Sequence, residues 1–357
     1  MAKTATILFF LLIVFGLVML ASAGVVEGQK KCGSSHCYLL HQIEYGILPG
    51  ILAFIVFSNI NYKRWKTFAL PLLIVALLLL LLVFVPGIGR DIKGAQRWVD
   101  LRIASIQPSE FLKFALIVYL AAWFGGRQRG SSSIELIPFF LILGFTAFLL
   151  ILEPDFGTLG IIMIIGVALY FFSGAKLWHF LILMLAVAVL MGTMALAAPY
   201  RFNRIKTFFN PQEDTQGSSY HINQSLITIG SGGMWGLGYG QSKQKFNYLP
   251  EPVGDSIFAI TVEELGFVGG TAVLATFLIL LIALAQTARN VPDAFGRLFI
   301  LGVAVWIGGQ SLVNISSITG LIPLTGVPLP LISYGGSSLV SLMAAMGIVK
   351  NISKVGT

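Results

Sequence analysis

The chain predicts an all-α integral membrane protein of about ten transmembrane helices. Three observations carry this reading. Of its 357 residues, 56% are hydrophobic and only 11% charged, whereas an average soluble domain carries about 25% charged residues. Apolar runs of about 18 or more residues recur along the whole length, each enough to cross a hydrocarbon core of about 30 Å. No alternating strand pattern appears, and backbone groups in lipid must be bonded internally, so helices rather than a closed barrel carry the spans. The formal net charge of +8 suits contact with anionic headgroups or an anionic substrate. So little soluble surface argues against nucleic acid as a partner.

Taken in order, the spans are expected at 7–25, 45–60, 67–86, 107–124, 135–152, 157–173, 178–198, 256–286, 296–317 and 332–350. They are expected to form a single polytopic domain over 1–357, with no soluble module at either end and no internal repeat. At the first span, Lys3, the apolar run and Ala21-Ser22-Ala23 imitate a cleavable secretory signal. The span is expected to be retained, because nothing soluble follows that needs export. Lys63, Arg64 and Lys66, then Arg127 and Arg129, Lys176, Arg289 and Arg297, and finally Lys350 and Lys354 fall on one side. The positive-inside rule makes that side cytoplasmic, with both termini inside. The long loop 200–256, between helices 7 and 8, is then outside.

On that outer side, Cys32 and Cys37 lie with His36 and His41 in the first loop. In an oxidising exterior a small-loop disulfide is the plain reading; free thiols and a zinc site are the alternatives, and the spacing matches no strong finger pattern. Two outer segments, 87–106 and 200–256, exceed ordinary connector length. In the second, Arg201, Arg204 and Lys206 interleave with Phe202, Ile205, Phe208 and Phe209. That spacing suits an amphipathic helix lying in the interface, or a solvated connector with snorkelling cations. Arg90, Lys93, Arg97, Arg102, Arg201, Arg204, Lys206, Lys243 and Lys245 run against the orientation set by the inner loops. An anionic ligand such as a lipid pyrophosphate would account for them, as would pairing with Asp91, Asp100, Glu213 and Asp214.

Ionisable groups within spans are costly, by about 2.5–3.5 kcal/mol on insertion scales, and mark function or a paired partner. Glu110 and Lys113 sit three apart near a helix start, on one face, where they form an ion pair or meet substrate. Asp155 in Glu153-Pro154-Asp155 reads as an N-cap for the next helix or as a site residue. Of Glu263 and Glu264, one is expected to face a polar cavity. Leu249-Pro250-Glu251-Pro252-Val253-Gly254-Asp255 sets a carboxylate where the next apolar run begins. The glycine run Gly232-Gly233-Met234-Trp235-Gly236-Leu237-Gly238-Tyr239-Gly240 follows no strand, so it is no dinucleotide fingerprint; it allows close backbone approach or a sharp turn. Pro328-Leu329-Pro330-Leu331-Ile332-Ser333-Tyr334-Gly335-Gly336-Ser337-Ser338 breaks the approach to the last span, its small residues serving helix packing or lining a cavity. Asn-x-Ser matches at Asn223, Asn314 and Asn351 are short enough to arise by chance.

These segments carry a resemblance. Thr207-Phe208-Phe209-Asn210-Pro211, Gln224-Ser225-Leu226-Ile227-Thr228-Ile229-Gly230-Ser231-Gly232-Gly233, Gln244-Lys245-Phe246 and Leu249-Pro250-Glu251 through Asp255-Ser256-Ile257-Phe258-Ala259 look like the SEDS family of cell-wall polymerases. Gly94-Ala95-Gln96-Arg97-Trp98, Gln107-Pro108-Ser109-Glu110 and Ser333-Tyr334-Gly335-Gly336-Ser337-Ser338 match in the same order. The similarity spans essentially the whole chain. Gln244-Lys245-Phe246 with Tyr248 leans toward the division branch of the family, and Val327-Pro328-Leu329-Pro330 slightly toward the elongation branch.

The resemblance implies the SEDS fold and peptidoglycan glycosyltransferase activity on lipid II, outside the bacterial cytoplasmic membrane. It places the family's essential aspartate at Asp255. Where the family often has His-Thr before that residue, this chain has Val253-Gly254. Asp255 is thus the catalytic candidate, as general base. Arg97, Glu110, Lys113, Glu153, Asp155, Arg201, Lys245, Glu251, Ser333 and Ser337 are the substrate-binding candidates, and a divalent cation, Mg or Mn, is a possible aid with no ligand set identified. The implied partners are lipid II, a class B penicillin-binding protein and other division or elongation membrane proteins. A lipid II flippase is the rival reading. Alternating access usually rests on inverted repeats, and none is found. A scaffold that only holds a partner is a weaker third.

Overall fold

The computed structural model describes residues 1–92, 95–100, 105–126, 136–174 and 219–355, with isolated positions 178, 181, 185, 189, 192 and 208. The chain is a helical, multi-pass membrane protein: five described helices are long and apolar enough to cross a membrane, and shorter apolar ones pack among them.

Helix α1 (Ala2–Ala23) shows how composition becomes packing. Ile7, Leu11, Val14 and Val18 recur at three- and four-residue steps and are exposed, as a lipid face requires. Phe9, Leu12, Gly16, Met19 and Ala23 turn inward. The short α2 (Val25–Cys32) ends at Gly33, and a Cys32–Cys37 disulfide staples it to α3 (Cys37–Gln42). The next span therefore starts at Cys37 rather than at 45. It runs through a π turn (Ile43–Ile47) into α4 (Leu48–Asn59). The π turn widens the ladder just ahead of Pro49, whose missing N–H could not have continued it.

Helix α5 (Lys63–Leu81) leads into the segment 87–106, where a small antiparallel sheet departs from an all-helical expectation. Strands β1 (Gly89–Ile92), β2 (Ala95–Asp100) and β3 (Ser105–Ile106) pair in that order, with Arg90 opposite Trp98 and Val99 opposite Ile106. The constraint that excludes open sheet edges holds only inside lipid.

Helices α6 (Pro108–Gly125), α7 (Leu136–Leu152) and α8 (Phe156–Phe172) follow, then α9 (Tyr220–Ser231), α10 (Ile257–Arg289), α11 (Ala294–Ile318) and α12 (Gly336–Val355). Each expected span except 178–198 falls on one of these helices. Apart from the isolated positions named above, that span and the amphipathic stretch 201–209 lie outside the residues described, as do Lys93, Arg102, Arg127, Arg129, Lys176, Arg201, Arg204, Lys206, Glu213 and Asp214. The last helix starts at Gly336, four residues later than expected, because 323–329 has no regular secondary structure and 330–334 turns and bends.

Helices α6 and α11 form the centre. Both are buried over most of their circumference, which gives the apolar cluster its middle. Lipid tails are as apolar as leucine, so association rests on close van der Waals contact and buried polar bonds. A side chain at Gly302 would meet Ile117 at 2.7 Å and Leu169 at 3.3 Å, so this glycine lets α11 seat against α6 and α8.

Candidate active site

The loop before α10 is held by its carbonyl groups. Asp255 O accepts from Asn314 Nδ2 at 2.8 Å, and Gly254 O accepts from Ser333 Oγ at 2.6 Å. Val253 O accepts from the Tyr334 amide at 2.9 Å. Glu251 O takes the amides of Gly254 and Ser256 at 3.1 and 3.2 Å, and Pro250 O takes Ser256 Oγ at 2.8 Å. With its proton committed to Pro250, Ser256 Oγ must accept from His221 Nε2 at 2.7 Å, which assigns the proton to that nitrogen. The half-buried Asp255 side chain therefore stands on a backbone fixed from α9, α11 and the 323–335 strap.

Strain is concentrated here too. Glu251 and Leu331 are held at φ of 49° and 68°. Non-glycine residues in such regions cost about 1–3 kcal/mol each and persist only where the surroundings over-determine them. At Leu331 the surroundings include α1, since a side chain at Gly16 would sit 2.6 Å from Leu331 O. Gly326, at φ +70°, faces the carboxylate: a Cβ there would stand 3.9 Å from Asp255 Oδ2.

Behind the strap lies a buried polar ladder. Gln310 and Asn314, four apart on α11, share one helix face. Gln310 Nε2 donates to Pro328 O at 3.0 Å, and Asn314 Nδ2 donates to Val327 O at 2.7 Å as well as to Asp255. Gln310 Oε1 accepts from Lys113 Nζ and from Trp306 Nε1, both at 2.9 Å. Lys113 Nζ also donates to Glu110 Oε1 at 2.8 Å and lies 5.1 Å from the Trp306 ring centre. Glu110 and Lys113 are thus an ion pair in the core of the bundle, linked to Asp255 through Gln310 and the strap. Ser337 ties the start of α12 to the start of α6 by accepting from the Gln107 amide at 3.1 Å.

The corner between α7 and α8 meets the same strap. Asp155 caps α8, its Oδ1 accepting from the Thr158 amide at 3.3 Å. A side chain at Gly157 would collide with Val327 at 2.5 Å, so α8 begins directly against the residues beside Gly326. Strand β2 delivers Arg97 to this corner, where it donates to Glu153 O at 3.5 Å and to Pro154 O. Glu153 is buried, and neither carboxyl oxygen has a hydrogen-bond partner among the described residues. Burial, reinforced by Asp155 and partly offset by Arg97, pushes its carboxyl up to about 9. It is neutral at ordinary pH, and a neutral carboxyl is far cheaper to bury than a carboxylate.

The glycine run serves a break in α10. At Gly266, φ 71° and ψ −175° interrupt the helix. The amides of Leu237 and Gly238 reach Glu263 O and Glu264 O at 2.9 and 3.0 Å, and the amides of Phe267 and Val268 reach Gly233 O and Met234 O at 2.8 and 3.2 Å. The loop thus replaces the helix's missing partners. Close approach demands glycine: a Cβ on Gly232 would lie 2.1 Å from Val262 O, and one on Gly236 2.2 Å from Glu264 O. Neither Glu263 nor Glu264 faces an open cavity, contrary to expectation, because the loop folds onto both. Glu263 accepts from Ser242 Oγ and, at 3.1 Å, from the Lys243 amide. Glu264 accepts from Ser22 Oγ at 2.6 Å, Lys245 Nζ at 3.0 Å and the Gly240 amide at 3.0 Å. Lys245 is buried there, donating also to Ser22 Oγ and Gly240 O.

Of the residues named from sequence, the fold gathers Asp255, Glu251 and Ser333 directly. It brings Arg97, Glu153 and Asp155 together at the α7–α8 corner against the strap, links Glu110 and Lys113 through α11, and puts Lys245 in the α10 break. Arg201 lies outside the described residues. Sequence reading missed Gln310, Asn314, His221 and Gly326. Two amides four apart in an apolar span were the available signal. No three His, Cys, Asp or Glu side chains come together as metal ligands among the described residues, so they do not fit an all-protein metal cage.

A multi-helix membrane bundle that clamps one carboxylate at a helix start defines a membrane-embedded enzyme or carrier, and comparison with known proteins narrows it. The family model described as "Cell cycle protein", covering FtsW, RodA and SpoVE, matches residues 2–357. The chain belongs to that family. It is 40% identical over 352 residues to stage V sporulation protein E of Bacillus subtilis, covering 98% of this chain and 95% of that one. It is 38% identical over 349 residues to the probable peptidoglycan glycosyltransferase FtsW of Coxiella burnetii, covering 96% and 93%. Among solved structures, a chain of a peptidoglycan synthase complex that coordinates polymerization and crosslinking superposes with TM-score 0.82 at 28% identity, covering 99% and 97%. The Thermus thermophilus rod shape determining protein RodA superposes with TM-score 0.73 at 28% identity, covering 99% and 96%.

Proposed function

We propose that this protein is a peptidoglycan glycosyltransferase that polymerises lipid II at the outer face of the bacterial cytoplasmic membrane, in division or elongation, with both termini cytoplasmic. The observation that carries the reading is the clamp: three carbonyls around Asp255 are fixed by Asn314, Ser333 and Tyr334. Positioned groups of this kind make a general base effective, an effect worth about 10²–10⁴-fold.

In the proposed step, an acceptor sugar hydroxyl attacks the anomeric carbon of the donor. Its oxygen forms the new glycosidic bond as the bond from that carbon to the pyrophosphate oxygen breaks. The hydroxyl proton passes to the Asp255 carboxylate. The electron pair leaves with undecaprenyl pyrophosphate, whose charge Arg97 stabilises in this reading. An α-linked donor then gives a β-linked product in one displacement, so no protein nucleophile is needed. Glu110, Lys113 and Lys245 hold the scaffold rather than the sugar. The crosslinking partner is a class B penicillin-binding protein, in keeping with the polymerization-and-crosslinking assembly that the fold resembles.

The test is glycan-strand synthesis from purified lipid II supplied only to the outer leaflet, with the partner present. Wild type should polymerise it, and Asp255→Asn should lose at least about 100-fold. Full polymerisation by Asp255→Asn would remove the base assignment. An inactive wild type in this arrangement, with lipid II moving between leaflets, would favour the flippase.

A further inference from the structure

A second feature sits at the far end of α10 from Asp255. There the start of α1, the end of α10 and the end of α12 surround a cavity of about 780 Å³. Lys3, Lys350 and Lys354 line it together with Ile7, Thr287 and Val291, and among the described residues no acidic side chain does. We infer that this cavity is a binding site for one anionic phospholipid, of the phosphatidylglycerol type, from the cytoplasmic leaflet.

The volume lies within the range of small-molecule sites, about 300–1,000 Å³. Its apolar wall is continuous with the lipid face of α1, because Ile7 belongs to both. An acyl chain can therefore lie along Ile7 and Val291 while its phosphate meets the lysines. Lys350 is already oriented, its Nζ 4.9 Å from the Phe54 ring centre. Lys354, in the last turn of α12, also opposes that helix's dipole, which accounts for one cation but not three. Three cations, with no acidic side chain among the described lining residues, are complementary to a phosphodiester, and each lysine near such a headgroup is worth about fivefold in affinity. The inference rests on the proposed inward orientation of this end, not on the glycosyltransferase reading.

Native mass spectrometry of the full chain, equilibrated in micelles with phosphatidylglycerol and phosphatidylcholine of matched acyl chains, tests it. Wild type should retain one saturable phosphatidylglycerol that millimolar inorganic phosphate does not displace. The Lys3→Gln/Lys350→Gln/Lys354→Gln variant should lose about 100-fold in that preference, and the matching Lys→Arg variant should keep it. If the triple variant does not fold, Lys3→Gln alone, in an exposed first turn, should still lose about fivefold. Unchanged preference in the glutamine variants, equal retention of phosphatidylcholine, displacement by phosphate, or serial unsaturable adducts would each overturn the site and leave the lysines as orientation signals only.

Discussion

Asn314 gives the sharpest test of the clamp. Its Nδ2 serves Asp255 O at 2.8 Å and Val327 O at 2.7 Å from a fully buried position. Asn314→Leu fills a similar volume and removes both donations. A buried carbonyl left without its donor costs about 1–3 kcal/mol, so the two together disfavour the native loop by roughly 2–6 kcal/mol. The cheapest relief is for the Asp255 loop and the strap to move apart toward solvent. Displacing a catalytic group by about 1 Å costs on the order of 100-fold. Asn314→Leu should therefore lower kcat about 100-fold in the lipid II polymerisation assay, with little change in KM. Because the amide acts only through the aspartate, adding Asn314→Leu to Asp255→Asn should cost nothing further, a strongly non-additive cycle. A rate within threefold of wild type, or a double variant far below Asp255→Asn, would show that the clamp does not position the base.

Three further outcomes follow from the same geometry. Lys245→Met strands Glu264 as a buried carboxylate and should destabilise the fold by about 3–5 kcal/mol; Glu264→Gln in that background should recover part of it, and a thermal-unfolding cycle that finds the two additive would dissolve the pair. Glu153 has a folded pKa near 9 against an ordinary 4.5. Its neutral form is the one the fold favours, so its contribution is complete below pH 4.5 and is lost as pH rises toward 9, at up to about 1.4 kcal/mol per unit. Glu153→Gln should then raise the melting temperature more at pH 8 than at pH 5, and an equal difference at both would contradict the raised value. Replacing Cys32 and Cys37 by serine opens a loop of sequence separation 5, which should cost about 2 kcal/mol in stability while polymerisation persists. Loss of polymerisation at a temperature where the variant is still folded would give the staple a role in the chemistry.

The spans were legible because hydropathy reports a solvent, and lipid is the same solvent everywhere along them. Where the chain leaves lipid the signal stops. The sheet at 89–106 and the true start of α12 at Gly336 were both invisible to a rule about apolar runs. Asp255 was singled out for a different reason: the family resemblance placed an essential aspartate there, at the point where the loop meets the next apolar run. Asn314 could have been found on the cost of a polar amide inside a span. Read as part of an Asn-x-Ser match it carried nothing, whereas read with Gln310 one turn earlier it marks a polar face inside a span.

The α10 break is the instructive case for what sequence cannot supply. Glu263, Glu264 and Gly266 announce that something polar happens within an otherwise apolar helix. Which groups answer them is a matter of non-local pairing. The amides that replace the helix's lost partners come from Leu237 and Gly238, and the cation from Lys245, all on a loop that precedes α10. A lysine on a long polar loop looks available to any anion until the loop is folded. Folded, its ammonium already donates to Ser22, Gly240 and Glu264 inside the protein. The same loop leaves Trp235, Tyr239, Phe246 and Tyr248 exposed. Pinning the polar groups inward is therefore what turns the aromatic ones outward, and a change that frees Lys245 should rearrange that exposed surface before it disturbs Asp255.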